Sequence, residues 1–134
     1  MTEPFILPNV NDRETAPFFA AAREHRLVIK QCRKCGKGIH PPTAHCPFCD
    51  SWDTHWQECK GAGRLYSWSV VEHQVHPACS VPYTLVVVTL DDITHVRLVG
   101  SIPGRPKLKA GMPMRVTFQV LAAEIVLPQW EPVP

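Results

Sequence analysis

Cys32-Arg33-Lys34-Cys35 and Cys46-Pro47-Phe48-Cys49, separated by ten residues, decide how this chain is read. A Cys-x-x-Cys pair makes a tight knuckle whose backbone NH groups point at the sulfurs, and two facing knuckles offer four thiolates about 2.3 Å from one ion. Cys32, Cys35, Cys46 and Cys49 are therefore the expected metal ligands, with zinc preferred and rubredoxin-type iron the alternative. Four thiolates leave no open coordination position, which favours a structural ion over a catalytic one. Three disulfides are the competing use of the six cysteines. Disulfides belong to oxidising compartments, and the segment Met1 to Pro8 lacks the basic and long apolar regions of a secretory signal. The reading is a cytoplasmic chain with reduced thiols.

The residues around the knuckles have plain explanations. His40 and His45 read as solvent-facing loop residues, because the cysteines already fill the coordination shell. Arg33, Lys34 and Lys37 offset the double negative charge of four thiolates around a divalent ion. Cys59 and Cys79 have no spaced partner and read as structural.

Working outward, Asp12 to His25 is helical, with Asp12 or Thr15 as N-cap and Phe18, Phe19 and Ala22 on one packing face. Leu27 to Ile29 form a strand into the first knuckle, and Trp52 to Cys59 a strand out of the second. From Gly61 the apolar period becomes two. Tyr66, Trp68 and Val70 are expected on one face of a long strand, and Tyr83 to Leu90 is apolar on both faces and must be covered on both. Thr94 to Gly100, Met114 to Val120 and a short strand at Glu124 to Leu127 complete five strands, which suits a small OB-type barrel. The expected fold is mainly β: an N-terminal extension and helix over 1–28, a rubredoxin-like ribbon over 29–60 and an OB-fold over 61–134. A ribbon of this size cannot bury enough apolar surface without its ion.

Composition narrows the function classes. The formal net charge is +2 with histidines neutral, so no strong basic field captures nucleic acid unspecifically. No apolar run approaches the length of a membrane helix.

Cys32-Arg33-Lys34-Cys35-Gly36, Pro41-Pro42, Cys46-Pro47-Phe48-Cys49, Gly63 to Val71, Pro82-Tyr83, Gly111-Met112-Pro113 and Leu127-Pro128 together resemble the domain of unknown function 35 family. That family joins a rubredoxin-like zinc ribbon to an OB-fold. The chain departs from it at Thr43, where the family often has arginine. The resemblance implies a noncatalytic, acyl-CoA-binding partner of thiolase-superfamily enzymes, or of hot-dog-fold hydratases, in lipid, steroid or polyketide metabolism. One branch of the family supports a steroid side-chain retro-aldolase. On this reading Arg33, Lys34 or Lys37 meet the CoA phosphates, Trp68 adds a stacking surface, and the isolated chain is poorly soluble without its partner. Two other classes compete. A single-stranded nucleic-acid module would use Tyr66, Trp68 and Tyr83 as stacking platforms, and a stand-alone enzyme would use Cys79 as nucleophile with His73 or His76 as base.

Overall fold

A computed structural model describes residues 7–134; the N-terminal extension expected over Met1 to Ile6 lies outside the described residues. The chain is mainly β, with one short helix, a zinc-ribbon region and a five-stranded OB-like sheet. Helix α1 (Ala16–Arg23) is shorter than its periodic pattern. Asp12 spends its carbonyl on a turn with Thr15 and Ala16, Thr15 then caps the helix start, and Pro17 occupies the first turn, where its missing NH costs nothing. His25, at φ 57, ends the helical segment and leads into β1 (Leu27–Cys32).

β1 is the centre of a three-stranded antiparallel sheet, flanked by β2 (Gly38–Ile39) and β3 (Thr54–Cys59). The larger sheet follows the order β6-β5-β4-β7-β8, with β4 (Ala62–Val71), β5 (Tyr83–Leu90), β6 (Arg97–Pro103), β7 (Pro113–Ala122) and β8 (Ile125–Pro132). Its two edges curl toward each other: the Ser101 NH on β6 donates to Gln129 Oε1 on β8 at 2.8 Å. Leu65, Val86, Val88, Leu98, Met114 and Trp130 fill the interior. Leu27, Ile29 and Cys59 join the same core, so the sheet of the ribbon and the barrel share one apolar interior.

Three expectations about the strands change. A β-bulge between Leu65 and Ser67 splits the aromatic stripe. Trp68 and Val70 stay on the inward face, opposite buried Val86 and Thr84, whereas the Tyr66 ring lies 3.9 Å from the Arg97 guanidinium on the outer face. β5 is covered only on one side: Thr84, Val86, Val88 and Leu90 are buried, but Leu85 remains exposed. The last strand runs eight residues, through Pro128. Proline is tolerated there because β8 is an edge strand, paired only with β7.

The ribbon meets the barrel at Gly38. Its NH donates to Thr94 O at 3.0 Å, and an added Cβ would strike the methyl groups of Val96 and Ile93. Both neighbours are buried, so they have no room to retreat. Gly38→Ala is expected to cost about 1–3 kcal/mol, read as a lower urea midpoint with unchanged slope.

Candidate metal centre and the groove beside it

The two knuckles are built as repeats of one backbone pattern. The NH of Cys32 donates to Lys37 O and that of Cys46 to Ser51 O; the NH of Gly36 donates to Cys32 O and that of Asp50 to Cys46 O. The fourth residue after each leading cysteine is left-handed, Gly36 at φ 78 and Asp50 at φ 63. Glycine takes that conformation freely and aspartate tolerates it, so Asp50 does in the second knuckle what Gly36 does in the first. Only the glycine announces itself in the sequence.

This geometry brings all four expected sulfurs together. They lie within 4.8 Å of one another, with Cys32 to Cys49 and Cys35 to Cys46 both at 3.6 Å. A tetrahedral ion with bonds of about 2.3 Å needs sulfurs about 3.8 Å apart, so the donor set fits zinc without rearrangement. The Cys35 NH points at Cys32 Sγ (3.5 Å) and the Phe48 NH at Cys46 Sγ (3.4 Å), stabilising thiolate charge. Such backbone donors, that of Cys35 first, pull the Cys32 thiol down to about 6. Cys49 is pushed up to about 11: the Ser51 NH pulls it down, but burial and the neighbouring thiols outweigh that pull. A bound cation would remove this opposition, because coordination deprotonates thiols outright.

The cysteines outside the cage behave differently. Cys59 is pushed up to about 12 by burial, with Asp92 and Glu58 adding to the effect. At pH 8 roughly one such thiol in ten thousand is ionised. In metal-loaded protein, a chromogenic disulfide is expected to label half-exposed Cys79 quickly and Cys59 slowly. Adding a chelator should release four further thiols, countable by absorbance. Cys79 does not form the nucleophile–base pair of the enzyme reading with His76, whose Nδ1 accepts the Ala78 NH at 3.0 Å. His73 lies exposed in the same loop.

The bases expected to meet phosphates are dispersed. Arg33 is engaged by Asp53, 3.3 Å away, and Lys37 sits over the Phe48 ring at 4.9 Å. Lys34 is exposed. Trp68 pairs with Val86, four positions along β5 from Leu90, where the loop that touches the ribbon begins, so it does not share a site with the knuckle bases. Thr43, at the family's arginine position, closes a local turn by donating to His45 O at 2.8 Å.

Unforeseen in the sequence is an open groove of about 660 Å³ between α1 and the edges of β6 and β8. Phe18, Phe19, Pro42, Val99 and Leu127 supply apolar walls; Thr15, His40, Ser101 and Gln129 supply polar points; Arg97 lies among the lining residues. His40 is exposed, as expected, and stands at the rim of this groove with its ring 6.0 Å from that of Phe18, centroid to centroid. Its surroundings lower its pKa by desolvation, which keeps the ring neutral at pH 7. Five segments, α1, the loop after β2, β5, β6 and β8, meet here, and no local spacing signals that meeting.

Known proteins share this architecture over most of the chain. Residues 19–53 match the rubredoxin-like zinc ribbon domain of ChsH2, and residues 56–119 match its C-terminal OB-fold domain. Over 127 residues the chain is 38% identical to a probable enoyl-CoA hydratase alpha subunit of Thermomonospora curvata, covering 93% of this chain and 39% of that protein. Over 124 residues it is 27% identical to the 3-oxo-4,17-pregnadiene-20-carboxyl-CoA hydratase alpha subunit of Mycobacterium tuberculosis, covering 91% of this chain and 39% of that one. The chain therefore spans about two fifths of the length of these curated relatives. Among solved structures, a chain of an Ltp2-ChsH2(DUF35) aldolase superposes with a TM-score of 0.81 at 36% identity, covering 93% of this chain and 98% of that one. A Sulfolobus solfataricus protein of unknown function from the DUF35 family shares the fold, with a TM-score of 0.60 at 15% identity, covering 84% of this chain and 82% of that one.

Proposed function

This chain belongs to the domain of unknown function 35 family, a ChsH2-type zinc ribbon joined to an OB-fold, and from that premise we propose a noncatalytic accessory subunit. It holds a structural zinc on Cys32, Cys35, Cys46 and Cys49, binds an acyl-CoA thioester and docks on a thiolase-like catalytic subunit. The observation that carries this reading is the likeness, over nearly its whole length, to one component of an aldolase named for two components. The favoured partner reaction is retro-aldol cleavage of a steroid side-chain thioester.

The chemistry of the chain agrees with a supporting role. A four-thiolate cage gives zinc no position at which to polarise a substrate, and His76 is committed to its own turn. Zinc supplies a rigid crosslink when bound, while the barrel supplies surface. The names of the curated relatives, both hydratase alpha subunits, raise a hydratase as the second partner, which the family resemblance implies to be of the hot-dog fold. Hydratase activity is assigned to no residue of this chain, because the match covers only 39% of those proteins. The nucleic-acid reading has less support: the charge is nearly balanced, and Tyr66 and Trp68 point to opposite faces of the sheet.

Co-expression with a candidate thiolase-like subunit tests the proposal. The two chains are expected to co-elute, and cleavage of the steroid thioester should require both. Turnover by this chain alone, or full activity of the partner without it, would overturn the reading. A salt-dependent shift of a labelled single-stranded oligonucleotide at micromolar protein would favour the nucleic-acid class instead.

A further inference from the structure

We infer that the groove between α1, β6 and β8 is the seat of the thioester, with Arg97, backed by the charge of Arg64, anchoring its phosphates; this rests on the acyl-CoA reading above. The charge pattern points to an anion. Arg23, Arg26, Arg33, Arg105 and Arg115 each face a carboxylate, whereas Arg13, Arg64 and Arg97 face none among the described residues, and of these three Arg97 lines the groove. Arg64 pairs with Thr89 and Thr89 with Arg97, so the two arginines sit on one face of the sheet, two strands and roughly 10 Å apart, with Arg64 Nη1 donating to Gly111 O at 3.5 Å. Like charges on one sheet face repel unless an anion lies between or above them. Tyr66, displaced to this face by the bulge, stacks on Arg97 and holds its guanidinium flat.

The groove beginning at Arg97 suits the rest of such a molecule. A groove of about 660 Å³ lies within the range of small-ligand sites. Phe18, Phe19, Val99 and Leu127 give an acyl chain apolar contact. The pantetheine arm carries amides, and the groove offers polar partners at intervals. Thr15 caps α1 without using its side chain, so its hydroxyl is free to meet the arm. Neutral His40 supplies one donor and one acceptor. This placement differs from the knuckle bases: Arg33 already holds Asp53, and Lys37 lies over Phe48.

Calorimetric titration of the zinc-loaded chain, and of its complex with the catalytic subunit, with octanoyl-CoA and with CoA tests the assignment. Arg97→Glu should weaken both ligands by about tenfold or more, the loss of a charge-assisted contact. Val99→Asn, an uncharged polar change at an exposed groove wall, should weaken octanoyl-CoA and leave CoA unchanged. Arg33→Ala should change neither. Unchanged zinc content and melting temperature establish that each variant is folded. Wild-type affinity in both Arg97→Glu and Val99→Asn overturns this site, whatever Arg33→Ala does, and leaves the acyl-CoA reading standing. If neither the chain nor the complex binds either ligand, the acyl-CoA reading falls as well.

Discussion

Removing the metal is expected to unfold the two knuckles between Cys32 and Thr54 while the barrel stays folded. The knuckle region has a core made of little else than its own ligands: Cys32, Cys46 and Ile39, with Cys49 against them. Without an ion these thiols offer only weak hydrogen bonds, and the loops around them hold residues such as Phe48 and Trp52 that stay largely exposed, touching only His95 and His45 among the aromatic rings. Structural zinc contributes about 10–16 kcal/mol in small zinc-finger peptides near neutral pH, far above the net stability of a typical domain. The effect should stop at a definite boundary, because Leu27, Ile29 and Cys59 belong to the barrel core and keep β1 and β3 in place. Hydrogen exchange measured with and without chelator checks this. Amides of Gly36, Phe48 and Asp50 should lose protection, and those of Leu65, Val86 and Val88 should keep it. Cys46→Ser should reproduce the chelated pattern at any zinc concentration. Loss of protection throughout the barrel would mean that the ion holds the whole chain, and no change would mean that the knuckles stand without it.

The sequence made some levels of this structure readable and hid others. The metal site was legible because its ligands lie in two local motifs, where spacing alone fixes which sulfurs converge. The barrel was legible as alternating apolar residues, since period two survives wherever one face is buried. What escaped notice depends on exceptions to period or on distant meetings. The bulge at Tyr66 adds one residue to β4 and moves an aromatic ring to the other face without changing the apparent alternation. Pro128 hid half of β8, because a proline usually ends a strand and only edge position excuses it. The groove needs Phe18, His40, Val99 and Leu127 at one place, and tertiary packing alone decides that. The bases around Cys32 and Cys35 were plausible phosphate ligands by type, yet Arg33 finds its partner in Asp53 across the knuckle.

Trp130→Ala is expected to be the most damaging single substitution in the barrel. The indole is 2% exposed, sits opposite Val116 across the β7–β8 pair and belongs to the main core. It also reaches the far edge of the sheet. A Cβ placed on Gly100 would come 3.2 Å from Trp130 Cδ1, so β6 approaches β8 closely here because one residue is large and the other has no side chain. The Ser101 to Gln129 hydrogen bond lies beside this contact. Truncation thus removes the largest buried side chain and the packing that holds two strand edges together without a backbone ladder. The surrounding strands are tied into hydrogen-bonded pairs and can collapse only partly into the space, so the cost should be about 3–5 kcal/mol. Urea denaturation of zinc-loaded protein measures it, and Trp68→Ala is the internal comparison. Trp68 is 40% exposed on the part of β4 that has left β7, and its loss should cost less, about 1–2 kcal/mol. Equal effects of the two substitutions would show that the β6–β8 seam is not where the barrel is held closed.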